Sequence, residues 1–419
     1  MPGQSTRLAG VVLAFALALP AGLARSEHDT SLDAESHLRS AVTEFAEKAF
    51  EIRLRADPAL ASAAREHSEV LSTGARLDTH QFLRQSLSLH GVLDPFPYVF
   101  YGSGPAAGLD EIERRLLQHL SRIPAVERRL YTHVGVGMRS RTRRRFLLRR
   151  QEWFVTVLLT QRAVSFSPIP DDLRPGDRFL FEGELHPPFR EPEVLLTRPD
   201  GNTDELENYA VDPRHFRTYV HFRELPGEYQ LEVMGRYDMG PRVLGLCSLY
   251  PRQPGTTLPY QRILHAARQG TLEPSKPLPE PELPRTEREA EATLLRLLNR
   301  DRDRAGLPVL VELPQLSALA RSHSADMRDR RFFAHVSPTT GRLVNRAAEA
   351  RIRYRRLGEN IAIGHDVHEA EEALMRSPGH RMNLLDPHFT HVGVGVVFDV
   401  DAQGKRRVYV TQNFMIPAR

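Results

Sequence analysis

Hydrophobic positions change period along the chain, and the changes divide it. Between residues 32 and 90, Leu38, Val42, Phe45, Ala46 and Ala49 recur at helical spacing, and Ala56 to Leu71 is a second helical stretch. From 129 to 165 the period falls to two. Val134, Val136 and Met138 alternate with small residues, an arginine-rich stretch follows, and then Trp153 to Leu159, which predicts a β-hairpin. Short strand-like runs continue at Arg178 to Leu185, Glu193 to Thr197, Arg217 to Phe222, Glu228 to Met234 and Arg242 to Tyr250. Pro175-Gly176, Pro199-Asp200-Gly201 and Pro226-Gly227 mark turns between them. Helical spacing returns with Ala290, Leu294, Leu295, Leu297 and Leu298.

These elements predict an α+β protein of several units. A chain of 419 residues is too long for one ordinary domain. Residues 30–165 read as one α/β domain and 166–250 as a small β-sandwich, similar in pattern to an immunoglobulin-like module. Residues 251–285 read as a linker, because Pro274, Pro277, Pro279, Pro281 and Pro284 alternate with Glu and Lys and favour a stiff extended spacer. Residues 286–419 form the last domain.

The two outer domains echo each other. Leu60 to Ser68 parallels Leu316 to Ser324, with His67 matching His323. Tyr131 to Gly137 parallels Phe389 to Gly395, and Leu159-Thr160-Gln161 parallels Val410-Thr411-Gln412. Matches in the same order read as two copies of one fold flanking the β-module.

Residues 1–24 read as a signal peptide. Arg7 supplies the positive end, Leu8 to Leu19 is almost wholly apolar, and Pro20 to Ala24 supply the break and small residues for cleavage after Ala24. A membrane anchor is the rival reading, but the run is short for a bilayer. No later segment is long and apolar enough to span one, so no transmembrane segment is expected after cleavage. The expected location is outside the cytoplasm: secreted, periplasmic or in the cell envelope. The single cysteine, Cys247, excludes an internal disulfide and reads as a buried small hydrophobe. A net charge of +4 is too small to imply a nucleic-acid partner. The run Arg139 to Arg145 reads as a solvated hairpin tip, with binding to anionic envelope polymers as the sharper alternative.

Candidate chemistry lies in the last domain. His335 sits in Phe332-Phe-Ala-His-Val-Ser-Pro338, Glu359 in Gly358-Glu-Asn-Ile-Ala362 and His380 in Ser377-Pro-Gly-His-Arg381. Two imidazoles and a carboxylate form a ligand set for Zn²⁺ or another divalent cation, with a position open for water. Asn360 and Ser377 stand beside them as supporting residues. Ser377 before Pro378 also reads as a helix N-cap, which needs no catalytic role. His323 shares the apolar face of Leu316, Leu319, Ala320 and Met327 and reads as a core histidine. Gly393 and Gly395 are followed by strand, so they read as close-approach positions and not as a dinucleotide loop.

Residues 286–419 resemble the CAP superfamily, the cysteine-rich secretory (SCP-like), antigen 5 and pathogenesis-related 1 proteins, in its bacterial, cysteine-free form. The resemblance is carried by the helix Leu316 to Met327, Phe333 to Pro338, Gly358 to Ala362, Ser377 to Arg381, Phe389 to Gly395 and Tyr409 to Gln412. It implies an α-β-α sandwich with a central antiparallel sheet, and a cleft of two His and two Glu. By motif, His335, Glu359 and His380 take three of those places. The second Glu falls near Ser377 and is lost, with Glu371 and Glu372 nearby but out of step. The front copy would be a degenerate CAP-like domain: it has no carboxylate near Tyr98 to Gly104 and no His within Arg122 to Ala125.

Two functions stay open on this reading. One is a binding protein whose cleft takes a lipid, glycan or peptide, with the metal optional. The other is a metal-dependent hydrolase in which His335 and His380 hold Zn²⁺ and Glu359 is a third ligand or general base. Binding is favoured over hydrolysis, because no complete catalytic set can be read.

Overall fold

The structure is a computed structural model. It describes residues 27–418 apart from 76–78, 96, 106–107, 124–127, 129, 146–147, 171, 254–255, 273–282 and 401–405. The expected leader at 1–24 and the prolines at 274, 277, 279 and 281 lie outside the described residues.

The front domain contains α1 (Glu27–Phe50), β1 (Arg55–Ala56), α2 (Pro58–Ser72), α3 (Thr79–Leu89), β2 (Tyr98–Pro105), α4 (Leu109–Leu120), β3 (His133–Arg145) and β4 (Leu148–Thr160). Its sheet runs β1-β3-β4-β2. The strand period of two decides which face each side chain takes. Trp153, Val155, Val157 and Leu159 pack with Leu38 and Val42 of α1 and Leu116 of α4. Leu158 points the other way, to Leu60 and Ala64 of α2 and Leu83 of α3. Helices therefore cover both faces.

The central module contains β5 (Val164–Phe166), β6 (Arg178–Leu185), β7 (Arg190–Thr197), β8 (Thr203–Leu206), β9 (His215–His221), β10 (Tyr229–Tyr237) and β11 (Gly240–Leu249). A sheet ordered β5-β6-β9 faces one ordered β11-β10-β7-β8. Phe181, Phe216 and Val220 from the first meet Val194, Leu231 and Val233 from the second in one core, which also holds Cys247. The two shortest strands, β5 and β8, carry too few residues to show a period and were not expected.

Part of the expected spacer is ordered. Helix α5 (Pro259–Gln269) buries Tyr260, Leu264 and Ala267 against Val70 and Phe82 of the front domain. Tyr260 also donates its hydroxyl to Glu66 at 3.0 Å. Its short apolar stripe, set among prolines, was masked by the surrounding composition.

The last domain contains α6 (Glu287–Arg304), β12 (Val311–Glu312), α7 (Pro314–Asp329), α8 (Leu343–Glu349), β13 (Tyr354–Gly364), α9 (Val367–Arg376), α10 (Pro378–Leu384), β14 (His391–Val400) and β15 (Arg406–Pro417). Its sheet, β12-β14-β15-β13, repeats the front order. The short first strand is parallel to its neighbour in both copies, while the other pairings are antiparallel.

The repeat extends to backbone approach and polar bonding. In the front copy a Cβ at Gly135 or Gly137 would fall 2.4 Å from Leu60 C or 2.1 Å from Arg65 N; at Gly393 or Gly395 it would fall 2.1 Å from Leu316 C or Arg321 N. Each glycine pair lets a helix lie directly on the sheet. Ser68 Oγ donates to Gly137 O and lies 2.9 Å from Thr156 Oγ1; Ser324 Oγ donates to Gly395 O and lies 2.8 Å from Thr411 Oγ1. Gly137 pairs with Thr156 as Gly395 pairs with Thr411. The third sequence match is therefore out of register: Thr411 corresponds to Thr156 and not to Thr160. Sheet pairing fixes the equivalence, which three letters of similarity could not.

The central module bridges both ends. Leu246 N–H donates to Leu93 O at 2.7 Å, and Val336 N–H donates to Met239 O at 3.1 Å.

Candidate functional site

His335 lies in the loop after α7, which a turn holds in place. Ser337 Oγ accepts from Thr339 N–H and Thr340 N–H and donates to Asp326 at 2.6 Å. Glu359 is on β13, opposite Asn413 of β15. Its Oε1 is 3.0 Å from His335 Nδ1, and its Oε2 accepts from Arg346 Nη2 of α8 at 2.8 Å. Arg346 Nη2 also donates to His335 O at 3.1 Å. A carboxylate only accepts, so His335 carries a proton on Nδ1. Burial pushes the Glu359 carboxyl up, but the His335 bond and the Arg346 charge outweigh it and hold it below the usual range.

His380 opens α10 and is tethered differently. Its Nδ1 is 2.7 Å from Ser377 Oγ, and its backbone oxygen accepts from Asn360 Nδ2 at 3.0 Å. Burial and the charge of His335 push the imidazole down to about 3, so it is neutral near pH 7. The fully buried Asn360 accepts from Asn383 Nδ2 at 3.0 Å and donates to Gln412 Oε1 at 3.3 Å.

Ser377 does occupy the N-cap position of α10, but its side chain makes no cap bond. The hydroxyl lies between His380 and Glu232 of β10, whose Oε2 is 2.6 Å away. Sequence reasoning missed Glu232 altogether, because an acidic residue between Leu231 and Val233 reads as the wet face of a strand. Burial pushes its carboxyl up to about 7, against the bonds from Ser377 and Gly379. Glu371, out of step by motif, is buried, accepts from Gln412 Nε2 at 2.7 Å and is pushed by burial up to about 8.

The sequence-named residues are thus brought together in pairs: His335 with Glu359, Ser377 with His380, and Asn360 with the His380 backbone. His323 lies close enough to Glu359, Arg346 and His335 to feel their charges; burial pushes it down to about 4, and its Nε2–H donates to Ala334 O at 3.1 Å. In the front copy, register places Val99 where Glu359 stands, so that copy lacks this acid. The stretch matching His380 falls partly outside the described residues. Among the described residues, no three His, Cys, Asp or Glu side chains gather as a metal-holding group. Both Glu359 oxygens are engaged by His335 and Arg346, so the residues present do not fit the three-donor Zn²⁺ set. An open groove of about 650 Å³ on the central module, between Ser165, Glu182, Tyr209 and Arg217, shares none of these side chains.

The last domain is an α-β-α sandwich with an anchored His/Glu/His group. Residues 295–414 match the CAP, or cysteine-rich secretory protein, family model. YkwD of Bacillus subtilis (strain 168) is 43% identical over 108 residues, 26% of this chain and 42% of that protein. YlbC of the same organism, described as a membrane protein, is 37% identical over 127 residues, 30% of this chain and 34% of that protein. The match thus spans less than half of either curated relative. A solved structure of an extracellular SCP-domain protein of Bacillus anthracis is 23% identical, covering 58% of this chain and 68% of that one, with a TM-score of 0.28.

Proposed function

We propose that this is an exported cell-envelope protein whose C-terminal CAP domain binds a glycan or peptide in the cleft around His335, Glu359 and His380. One observation carries the reading: each cleft imidazole is held through Nδ1, which leaves Nε2 for a ligand. Arg346 meanwhile neutralises Glu359. Such a group suits the O–H and N–H donors of sugars and peptides. Export is supported by the apolar run Leu8 to Leu19 and the small residues ending at Ala24. Among the described residues no helix is long and apolar enough to cross a membrane.

Hydrolysis finds less support. Ser377 is buried, and its hydroxyl is turned to a carboxylate, so it is not poised as a nucleophile. A divalent ion would have the two imidazoles to bind but not Glu359.

Calorimetry of the full chain against envelope oligosaccharides and short envelope peptides tests the proposal. Binding should weaken about tenfold or more in His335→Ala and in His380→Ala, the loss of a hydrogen bond or two. Equal heats for all three proteins, or none with any ligand, would remove the reading.

A further inference from the structure

Glu232 belongs to the central module, yet its carboxylate ends inside the last domain. Leu231 and Val233 face the sandwich core, so Glu232 points from the opposite face of β10, toward α10. The side chain is fully buried. Oε2 is 2.6 Å from Ser377 Oγ, and Oε1 accepts from Gly379 N–H at 2.8 Å. The approach is close: a Cβ at Gly379 would lie 2.8 Å from Met234 Sδ and 2.9 Å from Glu232 Oε1, so these side chains would have to shift. Helix α10 is therefore capped by another domain and not by its own serine.

The serine hydroxyl has one proton to give. An ionised carboxylate can only accept, so the proton points to Glu232. The serine oxygen then accepts from His380, whose Nδ1 is 2.7 Å away. This fixes the imidazole as the Nδ1–H form, with its lone pair on Nε2. The same module also reaches the other cleft histidine. Met239 O accepts the amide of Val336, and a Cβ at Gly240 would lie 3.1 Å from His335 Cβ.

We infer that Glu232 is a positioning residue of the C-terminal cleft, supplied by the central module, and that it sets the tautomer of His380 through Ser377. The carboxylate that the family resemblance leaves missing at Ser377 is delivered to that serine's hydroxyl from β10. The cleft is then a property of two modules and not of the CAP domain alone. This concerns where one proton sits, and it holds or fails independently of what the cleft binds.

Histidine-selective ¹⁵N labelling of the full chain reads the tautomer directly, with His380→Gln identifying the resonance. At mildly alkaline pH the wild type should show His380 protonated on Nδ1 alone. In Glu232→Gln the one carbonyl is needed by Gly379 N–H, so the amide NH₂ faces Ser377 Oγ, the serine proton turns to His380 and that form should be lost. Glu232→Leu should lose it, and the nitrogen shifts should move toward the Nε2–H form that free imidazole prefers. If Glu232→Leu does not fold, Ser377→Ala breaks the same chain and should give the same loss. A wild type protonated on Nε2 would overturn the inference at once. So would an Nδ1–H signal that persists in a folded Glu232→Leu or Ser377→Ala protein.

Discussion

Arg321 donates to Glu291 through both Nε and Nη2, each at 2.7 Å. The same carboxylate accepts the amide of Val396 at 3.2 Å, so one acid ties α6 to α7 and to β14. Arg65, Glu35 and the Met138 amide repeat the arrangement in the front copy. Arg321 is 45% exposed, which screens the charge pairing, but the Val396 amide is buried. Glu291→Ala orphans that amide and should cost about 1–3 kcal/mol. Urea unfolding of the last domain measures it, and an unchanged midpoint would refute the assigned role.

Gly395 tests the contact between helix and sheet. An alanine methyl would press against the Arg321 backbone, which cannot swing away as a flexible side chain would. Gly395→Ala should cost about 3 kcal/mol or more as overpacking. Gly306 is the control: it has φ near +70° but nothing within 4 Å of a new methyl, so alanine there should cost only about 1–2 kcal/mol of backbone strain. Thermal unfolding of both variants should rank them in that order; the reverse order would mean that the helix does not rest on the sheet backbone.

Arg346 and Glu359 are each almost fully buried. Arg346→Met takes the guanidinium away from a buried carboxylate and should cost about 3–5 kcal/mol. Adding Glu359→Gln removes the stranded charge, so the double variant should recover part of that loss. A double-mutant cycle in urea reads the coupling. Strictly additive costs would show that the pair acts independently.

Glu371 sets a pH dependence. Its carboxyl rises from an ordinary 4.5 to about 8 through burial, so the folded state holds a proton that the unfolded state releases. Its contribution to stability is complete below pH 4.5 and is lost as pH rises through about 8. Glu232, raised to about 7, acts in the same direction over a narrower window. His380, lowered from 6.5 to about 3, acts oppositely: its contribution is complete above pH 6.5 and is lost as pH falls through about 3. Glu371→Gln keeps an acceptor for Gln412 and removes one titration. In mild alkali it should be more stable than wild type by on the order of 3 kcal/mol, and the advantage should vanish in acid. Equal stability–pH curves for the two proteins would rule this out.

Much of the last domain was legible because its motifs fall on elements the sheet brings together. Phe389 to Gly395 marks β14 and its close-packed glycines, and Gly358 to Ala362 marks the strand carrying Glu359. Spacing could place His335 and Glu359 near each other only through the family resemblance, since they lie on a loop and a strand. Burial created by one domain against another left no such mark. Glu232 looks like any outward strand residue, and what covers it is more than a hundred residues downstream in sequence. Ser377 shows the same limit. Its position at the start of a helix was correctly read, but its partner lies in another module, so the role inferred from position alone was incomplete. The helix at Tyr260 to Ala267 was hidden by prolines, although its apolar stripe is ordinary once its partner surface on the front domain is known.

Helix α5 also sets the length of the tether. It fixes the chain to the front domain as far as Leu272, and Pro284 O already accepts from Arg406 of the last domain, so only residues 273–283 lie between. Fully extended, that stretch reaches no more than roughly 40 Å. If the CAP domain lets go of the central module, it is held close by, at an effective concentration near the millimolar range. A docking contact far too weak to join two separate proteins would still keep Glu232 seated on Ser377 most of the time.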